Sequence, residues 1–217
     1  MILLLGGEKG GTGKSTLATN IAAWLAQQRC DVILVDTDLQ RTAANWVDRR
    51  NLIRPAVSVV HCTERHGNVF HALKDLARRY EQVIVDAGGR DSEELRTALV
   101  AAHKVYVPLK ASQPDLETSL HMNEVVQLAR GMNQSLEARV IICMAPTNPS
   151  IRETSEAQDL LKELSELTPS AVTISERKAY RDAMAEGRGV IDLGNDKAVA
   201  EIEGLVKEIY SEEKSSE

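Results

Sequence analysis

Residues 2 to 20 read Ile2-Leu-Leu-Leu-Gly-Gly-Glu-Lys9-Gly-Gly-Thr-Gly-Lys14-Ser-Thr-Leu-Ala-Thr-Asn20. The apolar run Ile2 to Leu5 reads as a buried strand, and Leu17, Ile21 and Leu25 mark the apolar face of a helix. Between them lies a glycine-rich loop. Strand, glycine loop and helix in that order build a phosphate cradle. Glycine lets backbone N–H groups turn toward an anion, and the helix N-terminus adds partial positive charge. Lys14 would reach the β- and γ-phosphates, and the Ser15 hydroxyl would bind Mg²⁺.

The loop departs from the pattern G-x-x-x-x-G-K-[ST] at one place. Counting back from Gly13-Lys14, Glu8 holds the first glycine position, and an extra lysine, Lys9, follows it. The form Lys9-Gly10-Gly11-Thr12-Gly13-Lys14-Ser15-Thr16 resembles the deviant Walker A loop of the ParA/MinD family of ATPases. All eight residues are expected to bind the nucleotide.

Two more strands end in acids. Asp31 to Asp36 runs into Thr37-Asp38-Leu39-Gln40, and Glu81 to Asp86 runs into Ala87-Gly88-Gly89. In P-loop enzymes, carboxylates at strand C-terminal ends sit beside the phosphates and the metal. A cap for the next helix would account for one acid after the second strand, whereas two at this spacing favour a site. The resemblance covers the first of these segments as D-x-D-x-Q, with Leu39 where proline is usual. It implies that Asp36 supports the Mg²⁺ shell and that Asp38 positions the attacking water. Asp86 takes the Walker B place, holding Mg²⁺ through water, and the glycines after it match switch II.

The rest of the chain alternates strands and helices. Helices are expected over 41–51, 67–79, to about 131, over 150–166 and 196–210. Strands are expected over 57–60, 104–109 and 138–145, with a short one inside 168–175. This implies an α/β fold, a P-loop NTPase with a mostly parallel twisted sheet and helices on both faces. Residues 1–210 read as one domain and 211–217 as a disordered acidic tail. His61, His66 and His71 lack the spacing that would align them on one helical face, so no metal is assigned to them.

The chain has 217 residues, 43% hydrophobic and 27% charged, which suits a globular domain with a sizeable core. No apolar run approaches the ~20 residues that span a bilayer. Cys30, Cys62 and Cys143 are scattered, consistent with a reduced cytoplasmic setting and unlike the ligands of an iron–sulfur ATPase. With a net charge of −6, nucleic-acid contact has to come from a local basic patch, and 3% aromatics argue against a base-stacking platform.

Within the family, the length and the start at the first strand look like the small ParF-like partition ATPases. That resemblance implies an ATP-bound homodimer in which each Lys9 reaches the opposite subunit's phosphates. With Lys14 and Asp38, Lys9 forms the expected catalytic set. The resemblance further implies nonspecific double-stranded DNA as a track and a ParB-like cargo adaptor that stimulates hydrolysis. The ATP state would then be nucleoid-associated. Segment 176–190 resembles the matching family segment and supplies Arg177, Lys178, Arg181 and Arg188 as DNA-contact candidates. Met144 and Pro146 are expected to border the adenine, although relatives often place Asn or Arg where Cys143 and Met144 stand. The segment Pro108–Asp115 resembles a proline-containing loop at the nucleotide and dimer interface, and as a plain strand-to-helix loop it would have Asp115 capping the helix. No arginine finger is evident, so intrinsic turnover is expected to be slow. A MinD-like membrane ATPase would need a basic amphipathic C-terminal helix. The last helix instead carries Glu201, Glu203 and Glu208 against Lys207. A DNA-transfer accessory ATPase shares the same loop and remains an alternative.

Overall fold

The computed structural model describes residues 1–54, 57–148 and 153–211. Seven strands form one sheet: β1 (Ile2–Leu5), β2 (Val32–Asp36), β3 (His61–Glu64), β4 (Gln82–Asp86), β5 (Lys104–Leu109), β6 (Glu137–Ile142) and β7 (Thr168–Pro169). Their order is β3-β2-β4-β1-β5-β6-β7, and every pairing is parallel. A parallel sheet needs both faces covered, which explains why β1, β2 and β5 are buried at every position and read as near-continuous apolar runs.

The strand pleat sends alternate side chains into two cores. Leu3, Leu5, Leu34, Ile84 and Ile141 pack under α1 (Lys14–Gln27), α2 (Thr42–Asn51), α7 (Lys178–Glu186), α8 (Val190–Leu193) and α9 (Asp196–Tyr210). Ile2, Leu4, Ile33, Val85 and Val107 pack under α3 (Phe70–Leu76), α4 (Glu93–Ala101), α5 (Gln113–Arg130) and α6 (Glu153–Leu161). Polar anchors join α9 to β5: buried Lys104 donates to the Ile209 carbonyl at 2.7 Å, and the Tyr106 hydroxyl donates to Glu208 at 2.9 Å.

Several expected boundaries move. The third strand is His61–Glu64, after the apolar Val57–Val60. It pairs only with β2, and an edge strand half-open to water suits His-Cys-Thr-Glu better than a run of valines. The helix expected over 67–79 shortens to Phe70–Leu76, because Gly67 has φ +70° and the Asn68 side chain accepts from the Phe70 N–H. The strand expected to 145 stops at Ile142, since Met144 takes φ +55°. The helix expected over 150–166 is α6, which ends at Leu161, and residues 150–152 lie outside the described residues. Helix α4 has no counterpart in the sequence reading; Ser92 caps it by accepting from the Leu95 N–H, with Glu93 and Glu94 in the first turn. The tail from residue 212 also lies outside the described residues.

Candidate functional site

The sheet order puts β1 between β4 and β5, so the loop leaving β1 rises beside the acid that ends β4. The register makes this concrete: Leu5 pairs with Asp86, and Asp86 pairs with Asp36 on the next strand. Loop, metal acid and second acid thus meet at the C-terminal ends of neighbouring strands, where open α/β sheets hold ligands.

The loop's shape depends on Gly11 and Gly13, at φ +71° and +109°. Gly13 is the N-cap of α1 and offers no side chain, and the first turn of α1 carries no acid. The open N–H groups and the helix dipole therefore face an anion site without internal competition. Lys14 opens the helix, and its buried ammonium donates to the Lys9 carbonyl at 2.7 Å. Burial pulls its amine below the usual lysine range, while Asp86 and Asp38 act to keep it charged.

The three acids divide their roles by hydrogen bonding. Asp36 is fully buried, and its two oxygens accept the N–H groups of Asp38 (3.0 Å) and Ala44 (2.9 Å). It therefore holds the start of α2 as a cap would, and burial raises its pKa against those donors. Asp86 is equally buried, but neither of its oxygens has a hydrogen-bond partner among the described residues. Burial pushes its pKa up to about 7, although the Ser15 hydroxyl lies close enough to favour the charge. Two orphaned carboxylate oxygens beside a hydroxyl are the donor set of a hard divalent cation, so Ser15 and Asp86 fit Mg²⁺. Asp38 is half-buried; one of its oxygens accepts the Gln40 N–H at 3.0 Å. It lines a cleft of about 220 Å³ with Leu39, Gln40, Gly88, Gly89 and Arg90.

The backbone of switch II lies directly on the phosphate loop. A Cβ at Gly89 would come within 2.7 Å of the Gly10 nitrogen, and one at Gly88 within 3.5 Å of the Asp38 carboxyl carbon. At Gly89 only glycine permits that approach, whereas the contact at Gly88 is an ordinary van der Waals distance.

Lys9 points away from Lys14. Its ammonium pairs with Asp115 at 3.2 Å, with the lysine side chain 38% exposed. Asp115 is at the third position of α5 and also accepts the Ser112 hydroxyl. Its side chain thus faces the phosphate loop, so the expectation that it caps α5 is corrected: Ser112 is the N-cap residue. Pro108 lies inside β5 and Pro114 in the first turn of α5, so the loop between them is only Lys110 to Ser112.

Beside the loop is a cavity of about 500 Å³, lined by Gly13, Thr16, Cys143, Met144, Tyr180 and Arg181 among others. Its size and mainly apolar wall suit a nucleobase. Of the two residues expected beside the adenine, Met144 borders this cavity and Pro146 is not among its lining residues. Ser175, Glu176 and Tyr180 also line it; of these the sequence reading singled out Tyr180, as part of the family-like segment, and passed over Ser175 and Glu176.

Those cations are all paired. Arg177 makes a two-pronged contact with Glu201 (3.0 and 2.7 Å), Lys178 pairs with Asp182 (2.9 Å), Arg181 with Glu176 (3.2 Å) and Arg188 with Glu186 (3.4 Å). Arg177 and Arg181 also line the cavity. Arg177 is thus part of the cavity wall, while Lys178 is the most exposed of the four, at 79%.

A family description, the CobQ/CobB/MinD/ParA nucleotide binding domain, matches residues 3–210. The maintenance of carboxysome distribution protein A of Halothiobacillus neapolitanus is 31% identical over 205 residues, spanning 93% of this chain and 92% of that protein. Among solved structures, apo McdA of Cyanothece superposes with a TM-score of 0.80 at 18% identity, covering 96% of this chain and 98% of that one. A McdA–ATP complex from Cyanothece gives 0.74 at 18% identity, covering 96% and 95%.

Proposed function

The chain belongs to the CobQ/CobB/MinD/ParA nucleotide-binding family, and on that footing we propose that it is a slow, Mg²⁺-dependent ATPase that positions a large cargo along DNA. The observation that carries this reading is the placement of its two loop lysines. Lys14 lies inside the phosphate loop, whereas Lys9 stands outside it, half exposed and held by Asp115. A cation so placed is free to serve a second molecule once the pair opens.

ATP would bind with its phosphates on the loop N–H groups and Lys14 and its base in the cavity beside Met144. Mg²⁺, held by Ser15 and through water by Asp86, would neutralise the phosphate oxygens. Asp38 orients the attacking water. Two copies then close face to face, and each Lys9 exchanges Asp115 for the opposite triphosphate. Opposed triphosphates repel strongly unless cations stand between them, so Lys9 couples nucleotide state to dimerisation. Loss of the γ-phosphate relaxes switch II, which touches both Gly10 and Asp38, and the dimer parts.

The dimer doubles whatever cations each copy offers to DNA. A cargo adaptor, ParB-like in role, would stimulate hydrolysis. The relative that maintains carboxysome distribution favours a protein compartment as cargo, with a plasmid as the other choice. A membrane-bound reading is disfavoured because the apolar face of α9 (Ala198, Ile202, Leu205, Val206, Ile209) is already buried in the protein core. In addition, no helix among the described residues is long and apolar enough to cross a membrane.

The test is binding to a random-sequence duplex at two salt concentrations with ATP, ADP or no nucleotide. ATP-dependent, salt-sensitive binding that Lys9→Ala loses is the expected result. Binding in no state would remove DNA from the reading and leave the ATPase in place.

A further inference from the structure

The transition state of phosphoryl transfer spreads negative charge over the γ-oxygens, and P-loop enzymes meet it with a cation beyond the loop lysine. Lys14 donates to the Lys9 carbonyl, and Lys9 is paired with Asp115. Arg41, just past Asp38, is held by both oxygens of Glu64 at 2.7 and 2.8 Å. Arg96 is held by both oxygens of Asp91. Arg90 differs from these four. It is exposed, it lines the Asp38 cleft, and its guanidinium has no hydrogen-bond or ion-pair partner among the described residues.

The backbone around it suits a swinging arm. On one side Gly89 lies so close to the phosphate loop that a Cβ there would fall 2.7 Å from the Gly10 nitrogen, and Gly88 lies at van der Waals distance from Asp38. On the other side Asp91 is clamped to Arg96, and Ser92 caps α4. Arg90 is thus the first residue between a movable pair of glycines and a fixed helix start.

We propose that Arg90 is a catalytic residue that enters the Asp38 cleft of its own chain and binds the γ-phosphate oxygens as they gain charge. The proposal rests on the ATPase reading and adds to Lys9, which that reading brings from the second copy, a cation supplied by the site's own chain. Water bonds to the γ-phosphorus while the bond to the β,γ-bridging oxygen breaks. That electron pair leaves on ADP, and the water gives up its proton toward Asp38. Arg90 takes no proton; its planar fork spans two equatorial oxygens, which an ammonium cannot do. In the structure Arg90 lies at the wall of this cleft with its guanidinium unpaired among the described residues, which fits slow turnover until a partner or the second copy seats it on the γ-phosphate.

Arg90→Ala and Arg90→Lys test this, and the exposed position leaves folding intact. Two readings are taken: ATP turnover, and the affinities for ADP alone and for ADP with aluminium fluoride, which mimics the transferring phosphoryl group. The expected result is ADP affinity within about twofold of the parent. Turnover and aluminium fluoride affinity both fall on the order of 10- to 1,000-fold in Arg90→Ala. Arg90→Lys recovers less than about tenfold of that loss. Turnover and analogue affinity both unchanged in Arg90→Ala would overturn the proposal, as would ADP affinity falling in parallel with them. A parent that binds ATP without hydrolysing it would count against the ATPase reading, and the aluminium fluoride comparison would still decide Arg90. Activity restored by mixing Arg90→Ala with Asp38→Ala copies would overturn the assignment to its own chain.

Discussion

At the residue scale, Asp86 is the carboxylate with the most at stake. Its folded pKa of about 7 lies above the ~3.9 of an unfolded aspartate, so between those values the folded chain holds a proton that the unfolded chain has lost. That contribution to stability is fully present below about pH 4 and disappears as pH rises through 7. Asp86→Asn removes the charge that burial opposes. In metal-free protein the variant should therefore melt several degrees above the parent at about pH 8 and close to it at about pH 4. Adding Mg²⁺ and nucleotide should raise the melting temperature of the parent and leave the variant nearly unmoved. A calorimetric difference that is equal at both pH values would contradict this. The Lys9–Asp115 pair predicts a second effect. Asp115→Asn weakens the hold on Lys9 and should lower the protein concentration needed for ATP-dependent dimerisation about two- to tenfold by sedimentation velocity, a modest change because the lysine is partly solvated.

The base cavity and the acid pair show where single residues were legible. Lys9, Lys14, Ser15, Asp36, Asp38 and Asp86 were readable because a phosphate loop and strand-end acids are local patterns. The division between Asp36, satisfied by N–H groups, and Asp86, unsatisfied, was not readable, because it depends on which backbone donors the fold delivers. Arg177 looked like a surface cation, and its partner Glu201 is 24 residues away on another helix.

At the scale of elements, α2 and α7 are locked together by a buried cluster. Trp46 is fully buried and donates to the Arg188 carbonyl at 3.0 Å, and Arg50 lies over its ring while pairing with Asp192 at 2.8 Å. Gly187 ends α7 at φ +70°, and a Cβ there would sit 2.4 Å from the Arg50 nitrogen. Gly194 ends α8 at φ +69° with nothing within 4 Å of its missing Cβ. The backbone strain of alanine is therefore nearly the same at both, and the space is not. Gly194→Ala should destabilise by about 1–2 kcal/mol. Gly187→Ala should destabilise by about 1–3 kcal/mol more, read from urea midpoints at an unchanged slope. Equal losses would mean that α2 gives way freely. Elements that bury a continuous apolar run (β1, β2, β4, β5) were placed from sequence to within a residue. The half-polar edge strand β3 was placed too early because hydrophobicity, the signal used, is what an edge does not need. Helix α4 announced itself only by its cap.

At the scale of the whole molecule, the two helical layers separate the site's parts. One layer carries Lys14, at the start of α1, and α7, whose Tyr180 and Arg181 line the cavity beside Met144; the other carries Asp115 on α5 and α4, the helix that follows Gly88-Gly89. The proposed closure between copies would bring Lys9 off the second layer. If DNA binding follows, Lys178→Ala should reduce the salt slope by about one unit per copy, while Arg177→Ala should chiefly lower stability, because Arg177 is committed to Glu201. Equal slopes for parent and Lys178→Ala would move the DNA surface elsewhere.

The two ends of the sheet bear on filament growth. One edge is β7, two residues long; the other is β3, four polar or half-exposed residues whose terminal Glu64 is held by Arg41. Neither offers a long, flat row of apolar residues on which a strand from another chain could template. Any polymer of this protein would therefore grow more readily through its helices and loops than by strand pairing at these edges, which sets it apart from an amyloid.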